Sequence, residues 1–174
     1  MSRHTPPTRT LRSRPDLDQL KRQAKELLDA YRAGDPEVGR EVRAYDRRAD
    51  PAAFALHDAQ PVLARAHGFD SWPKLKAFVD GNTVRRLVEA VRDGNLESVR
   101  SMVTARPELV HLDVAENDEH RALHHAVLRR RPEIVRFLMQ HGADARKGIW
   151  PHRGATSAHR LAVERGYNEV AAII

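Results

Sequence analysis

Ala90, Ala126 and Ala162 stand 36 residues apart, as do Val91, Val127 and Val163, and Glu97, Glu133 and Glu169. A fixed period of this length constrains a chain more than composition does, because it fixes the architecture before any single element is assigned. Three stretches align on it. Leu87 to Val99 matches Leu123 to Val135, and both match His159 to Ala171. Each reads as two short helices. The first puts its apolar residues and a small Ala on one face, and a break follows at Gly94, Arg130 or Gly166. The second is amphipathic, as in Ile134, Val135, Phe137 and Leu138 before Gly142. One such pair cannot bury its own apolar face, so neighbouring pairs must stack.

The clearest copy, Arg121-Ala122-Leu123-His124-His125-Ala126, continues through Glu133-Ile134-Val135-Arg136-Phe137-Leu138 into His141-Gly142-Ala143-Asp144. This resembles the ankyrin repeat, whose T-P-L-H-x-A signature it follows. The resemblance covers roughly residues 83–174. It departs from the family at Arg121, where Thr is usual, and at Arg160, where His is usual. The period of 36 exceeds the family's ~33, and the extra residues fall in Arg106–His120 and Arg146–Thr156, which correspond to the family's projecting fingers. The usual hairpin glycine is Glu119, so an irregular first finger is expected. The third unit ends on Ala171-Ala172-Ile173-Ile174, with a short second helix and no polar cap.

Residues 16–81 lack the period but read as helices. Leu17, Leu20, Ala24, Leu27, Leu28 and Tyr31 follow one helix face up to Gly34. Asp35-Pro36 starts a second helix with Val38, Val42 and Tyr45 on its stripe. Asp46 to Ala55 reads as irregular. A third helix is expected from about Asp58 to His67, with Pro61 confined to its first turn. Ser71-Trp72-Pro73 opens a fourth, whose core residues would be Trp72, Leu75, Phe78 and Val79. The string Ala59 to Lys76 is similar to a helical segment found upstream of ankyrin repeats in bacterial proteins. Physically, this module is placed to cover the first repeat's apolar face. The expected fold is therefore all-α. A flexible basic tail over 1–15 precedes a helical module over 16–81, and an ankyrin-like α-solenoid of about two and a half repeats occupies 82–174.

Composition narrows the function. The 174 residues contain no cysteine, which excludes disulfides, thiolate metal sites and a thiol nucleophile. No apolar run reaches the ~20 residues of a membrane span, and no secretory signal follows Met1 to Arg14, so no membrane role and a cytoplasmic location are expected. The net charge is +6, but Arg3, Arg9, Arg12 and Arg14 put four of those charges in the tail. Elsewhere acids and bases are mixed, so nucleic acid is not the expected partner.

Catalytic signals are weak. His120 and His124 lie near Asp113, Glu116, Asp118 and Glu119, but His120 precedes the helix that carries His124, so the pair does not share a helix face. Glu119-His120 does not extend to H-E-x-x-H. His124 holds the position of the family's structural histidine, which implies a hydrogen bond around the helix start. Asp113 and Glu116 form a carboxylate pair without any mark of burial. Ser98, Ser101 and Ser157 sit on helices or caps, there is no G-x-S-x-G elbow, and the nine glycines are scattered. No enzyme activity, cofactor or metal is expected.

The resemblance instead implies protein–protein recognition through fingers and first helices. The residues placed there are Asn117, Asp118, His120, His125 and Arg129 from one unit, and Trp150, His152, Arg153 and Arg160 around the next. Trp150 has two readings: a partner anchor, or a side chain folded back with Ile149 over helix ends. The second is favoured because an exposed Trp is costly. Arg129-Arg130-Arg131 reads as a solvated charge run at a turn. The alternative to a docking module is a non-catalytic structural segment of a larger multidomain protein or enzyme. The apolar end at Val170, Ile173 and Ile174 is expected to continue into further chain or to associate, with a second copy or a different protein. Protein depleted of metal and then equilibrated with zinc should hold no stoichiometric zinc by elemental analysis; a tightly held equivalent overturns the metal-free reading.

Overall fold

The computed structural model describes residues 6–115 and 117–174. Met1–Thr5, which include Arg3 of the basic tail, and Glu116 lie outside the described residues. Among the described residues the regular elements are all helices, with one isolated antiparallel bridge between Ala115 and Asp118. None of these helices is long and apolar enough to cross a membrane. The chain divides into two compact units, Met1–Asn82 and Thr83–Ile174.

In the first unit, α1 (Leu17–Arg32), α2 (Pro36–Tyr45) and α3 (Leu56–Ala66) pack pairwise on one another. Two caps set the starts: Asp16 accepts from the Gln19 N–H at 2.8 Å, and Asp35 accepts from Glu37 and Val38. Leu27, Tyr31, Val42, Ala59 and Val62 form one apolar cluster, completed by Phe54. Phe54 lies in the segment expected to be irregular, and it is buried edge-on against Tyr31 with ring centroids 4.7 Å apart. A second cluster joins Leu17, Leu20, Ala64, Leu75 and Val79.

Three expectations change here. α3 begins at Leu56, so Pro61 sits inside the helix rather than in its first turn. The helix persists because the proline forfeits one backbone hydrogen bond, whereas Val62, Leu63, Ala64 and Ala66 bury a continuous face around it. Phe78 is 44% exposed, with its ring 5.2 Å from Phe69, rather than in the core. The fourth helix does not end near Val79. α4 spans Trp72–Asp93 and carries the division between the units. A lone Gly81 costs about 1 kcal/mol relative to Ala, too little to stop a helix that has apolar residues on both sides of it.

The second unit stacks its helix pairs. After α4 come α5 (Leu96–Ala105), a 3-10 turn over Pro107–His111, α6 (Ala122–Leu128), α7 (Pro132–Gln140), α8 (Ala158–Glu164) and α9 (Asn168–Ile173). First helices meet first helices, α6 on α8, and second helices meet second helices, α5 on α7 and α7 on α9. Ala126 and Ala162 are fully buried, as the 36-residue register requires of the small residue that lets helices approach. One apolar cluster runs through the whole unit from Val84 to Val170. Val163 is 53% exposed, while Ala171, Ile173 and Ile174 remain partly buried against the cluster.

The arginine run at 129–131 is more than a solvated face. Arg130 adopts φ 53°, the left-handed conformation that Gly94 and Gly166 supply at the equivalent turns. Its guanidinium lies 5.0 Å from the centre of the Tyr167 ring in the following repeat. Arg131 reaches the other way and donates to the Arg92 carbonyl at 3.0 Å. The run therefore ties three repeats together at their turns. Arg130→Gly removes backbone strain of about 1 kcal/mol together with a cation–π contact of similar size, so its urea stability should stay close to that of the parent. Arg130→Ala keeps the strain and loses the contact, and should fall by about 1 kcal/mol. Equal stability of the Ala variant and the parent would rule out the tie to Tyr167.

Candidate functional site

The fingers of the second unit are built by opposite means. The first closes as a tight turn: Ala115 and Asp118 exchange backbone hydrogen bonds at 3.2 and 3.0 Å, and Val114 N–H donates to His120 O at 2.8 Å. It is hairpin-like despite having Glu119 where the family has glycine. The second finger is an irregular loop tied by a hydroxyl. Thr156 Oγ1 accepts from Ile149 N–H at 2.7 Å and faces the carbonyls of Ile149 and His152 at 3.0 and 2.9 Å. Gly148 lets this loop close, since a Cβ there would fall on the Arg153 carbonyl.

Charged side chains join the two fingers. Asp113 accepts from Arg121 Nε at 2.9 Å and from Lys147 Nζ at 3.2 Å. Glu119 accepts from Arg153 at 3.0 Å and from the Trp150 N–H at 3.2 Å, with Lys147 Nζ 3.5 Å away. Partial desolvation opposes ionisation of Glu119, yet the Trp150 N–H, Arg153 and Lys147 together hold its carboxyl below the usual range. His124 adds a buried tie. Arg121 N–H donates to its Nδ1 at 3.0 Å, so the proton resides on Nε2, which donates to Lys147 O at 3.0 Å. This is the structural role that the family position implied. Burial, foremost, keeps the ring neutral by pushing its pKa down.

The candidate residues fall into two groups. Asp118, His120 and His125 come together. His120 Nδ1 lies 2.5 Å from Asp118 Oδ1, and its ring stands 5.5 Å from that of His125. Burial opposes the Asp118 charge, but hydrogen bonds from the His120 ring and backbone outweigh it and lower the Asp118 pKa. Asn117 is exposed at the turn. His125 is buried beneath His120, 8% exposed, so it supports the surface instead of forming it. Trp150, His152 and Arg153 share the second finger, and all three are exposed. Trp150 is 70% exposed, which overturns the reading that it folds back over helix ends; Ile149 beside it is half-buried. Arg160 is exposed and pairs with Glu164 along α8, at 2.5 Å, and Arg129 is exposed at the end of α6.

Sequence reading missed Glu119, Asp113, Lys147 and Thr156 as organisers of this surface. Glu119 was read as a departure from glycine and Asp113 as half of a carboxylate pair whose other half, Glu116, lies outside the described residues, and both as acids near His120 and His124, not as ties between fingers. Among the described residues no group of three His, Asp or Glu side chains is arranged to hold a metal ion.

His125 makes the surface sensitive to acid. Burial, with Arg92 and His120 nearby, pushes its pKa down to about 4. The unfolded chain takes up this proton below the ordinary value of about 6.5, so acid favours the unfolded state. The stabilisation from neutral His125 is complete above about pH 6.5 and is lost progressively towards pH 4, a change on the order of 3 kcal/mol. In His125→Leu the loss of urea stability between pH 7 and pH 4.5 should shrink by about 2 kcal/mol. An unchanged loss would place the acid sensitivity elsewhere.

Residues 77–174 match the family model for ankyrin repeats (3 copies). No curated protein and no solved structure matches the chain.

Proposed function

The chain belongs to the ankyrin-repeat family, and from that premise we propose that its second unit docks a partner protein through the two joined fingers, with Trp150 as the anchor. Ankyrin repeats are generally protein–protein interaction modules. The observation that carries the finer reading is the exposure of Trp150, 70%, on a loop that Thr156 and Glu119 hold in place. An exposed indole costs free energy in water, and a fixed one loses little entropy when a partner covers it. Asn117, Asp118 and His120 on the first finger, and His152 and Arg153 on the second, supply polar contacts beside the anchor. Arg129 and Arg160 extend the surface along α6 and α8. His125 contributes from beneath, by seating the His120 ring. The mechanism is rigid docking without a covalent step.

Replacing a central Trp anchor costs about 2 kcal/mol or more, some thirtyfold in affinity. Immobilised intact protein and its Trp150→Ala variant should therefore retain different proteins from native lysate, while their melting temperatures agree. A partner retained by the parent and lost with the indole supports the reading. Identical retained sets from two equally stable proteins would remove Trp150 from it.

A further inference from the structure

The first unit carries a second candidate surface, independent of the fingers. Residues 6–12 form no regular secondary structure, yet they are held like a bound peptide. Thr8 N–H and Arg9 N–H both donate to Ala66 O, at 3.0 and 2.9 Å. Ala66 ends α3, where carbonyls lack helical partners. Tyr45 OH donates to Pro6 O at 2.8 Å. Pro7 rests on Gly68, where an added Cβ would come within 3.1 Å of the proline ring. Arg9 grips Glu41 with two bonds, Nε to Oε1 at 2.9 Å and Nη2 to Oε2 at 2.6 Å, while Thr8 Oγ1 donates to Oε1 at 2.8 Å. The Glu41 side chain is only 16% exposed. Arg9 holds its carboxyl below the usual range in spite of that burial. These contacts amend the flexible tail expected over 1–15: its described part is docked.

The fit is uneven along the segment. Beyond Arg9, residues Thr10, Leu11, Arg12 and Pro15 roof a cavity of about 60 Å³ lined also by Gln23 and His67. Gln23 Oε1 and both ring nitrogens of His67 are buried without a hydrogen-bond partner among the described residues. The charged end of the slot is fully engaged by the resident segment, whereas the other end keeps three buried polar atoms without partners, which hydrogen-bonding groups of a different occupant would satisfy once that segment is displaced.

We propose that this slot, formed by α1, α2 and the end of α3, is a docking site for an extended, arginine-bearing peptide of another protein, and that residues 6–15 occupy it in cis. The recognised features are those the resident shows: a carbonyl for Tyr45, two consecutive backbone N–H groups for Ala66 O, and a guanidinium for Glu41. A planar guanidinium meets a carboxylate through two parallel bonds, which a lysine cannot reproduce. A tethered occupant competes at millimolar effective concentration. A free peptide therefore binds poorly until the Arg9 grip is weakened, and the resident segment acts as an intramolecular inhibitor of the site.

The probe is a labelled, acetylated synthetic peptide of residues 6–15, titrated into full-length protein. Arg9→Glu puts a negative charge against Glu41. In that variant the amide exchange of Thr8 and its neighbour should speed up at least tenfold, and the peptide should bind at least tenfold more tightly than to the parent. Glu41→Arg should bind it no better than the parent does. Should Glu41→Arg fail to fold, a peptide carrying Arg9→Ala, titrated into the Arg9→Glu protein, gives the same discrimination by losing that affinity. Protected amides in Arg9→Glu would show that no such latch exists. Released amides without peptide binding, or binding indifferent to the peptide's arginine, would overturn the docking site.

Discussion

A helix of seven residues, such as α6 or α8, has no independent existence in water. Nucleation alone makes it unfavourable, and its own second helix covers only part of its apolar face. The second unit exists because each helix pair is covered by the next. The buried Ala126 and Ala162 allow that close approach, and the apolar cluster from Val84 to Val170 is its product. The fingers of this unit are hung on that stack. The fingers need not fold by themselves, because the helices they connect are already held at a fixed spacing.

Stacking was legible in the sequence because it imposes a period, and a period survives in one dimension. The ties between repeats were not, because each is made by a side chain that leaves its own unit. Arg131 reaches the Arg92 carbonyl, Arg130 lies over Tyr167, and Glu119 receives the Trp150 N–H. In sequence these residues read as a charge run and a missing glycine, since nothing local records a contact made 31 to 39 residues away. Arg130 has a further lesson. It stands where the other two turns have glycine, and its left-handed φ was implied by the alignment. Phe54 and Pro61 mislead for related reasons: local pattern gives no sign of the tertiary burial that draws one into the core and carries a helix through the other.

The candidate docking residues were legible by register but not by role. Register placed His125 and Trp150 on the finger side, and both are there. Burial then separated them. His125 lies under His120 as a neutral support, whereas Trp150 stands in solvent. The general rule that an indole seeks cover is a statement about average cost. Here the loop closes through Gly148 and the Thr156 hydroxyl, and Ile149, beside it, is half-buried. With the loop closed through those two residues, the Trp150 side chain stands 70% exposed.

The charge arrangement around the fingers bears on the docking proposed for this surface. Asp113 is matched by Arg121 and Lys147, and Glu119 by Arg153 and the Trp150 N–H. Asp118 is matched by His120. The acids and bases nearest the anchor thus neutralise one another within the unit, so little long-range field remains to steer a partner. Docking of the kind proposed would rest on shape, on the apolar area of Trp150 and on short hydrogen bonds. Its association should proceed at the ordinary unsteered rate, with a weak dependence on salt. The slot proposed in the first unit would work on the opposite principle. It centres on one carboxylate, Glu41, that is partly buried and is paired with the Arg9 guanidinium, which offsets its desolvation. On these two proposals, the two units would bind by physically different modes. One is apolar and preformed; the other is ionic and already occupied by the chain's own N-terminal segment.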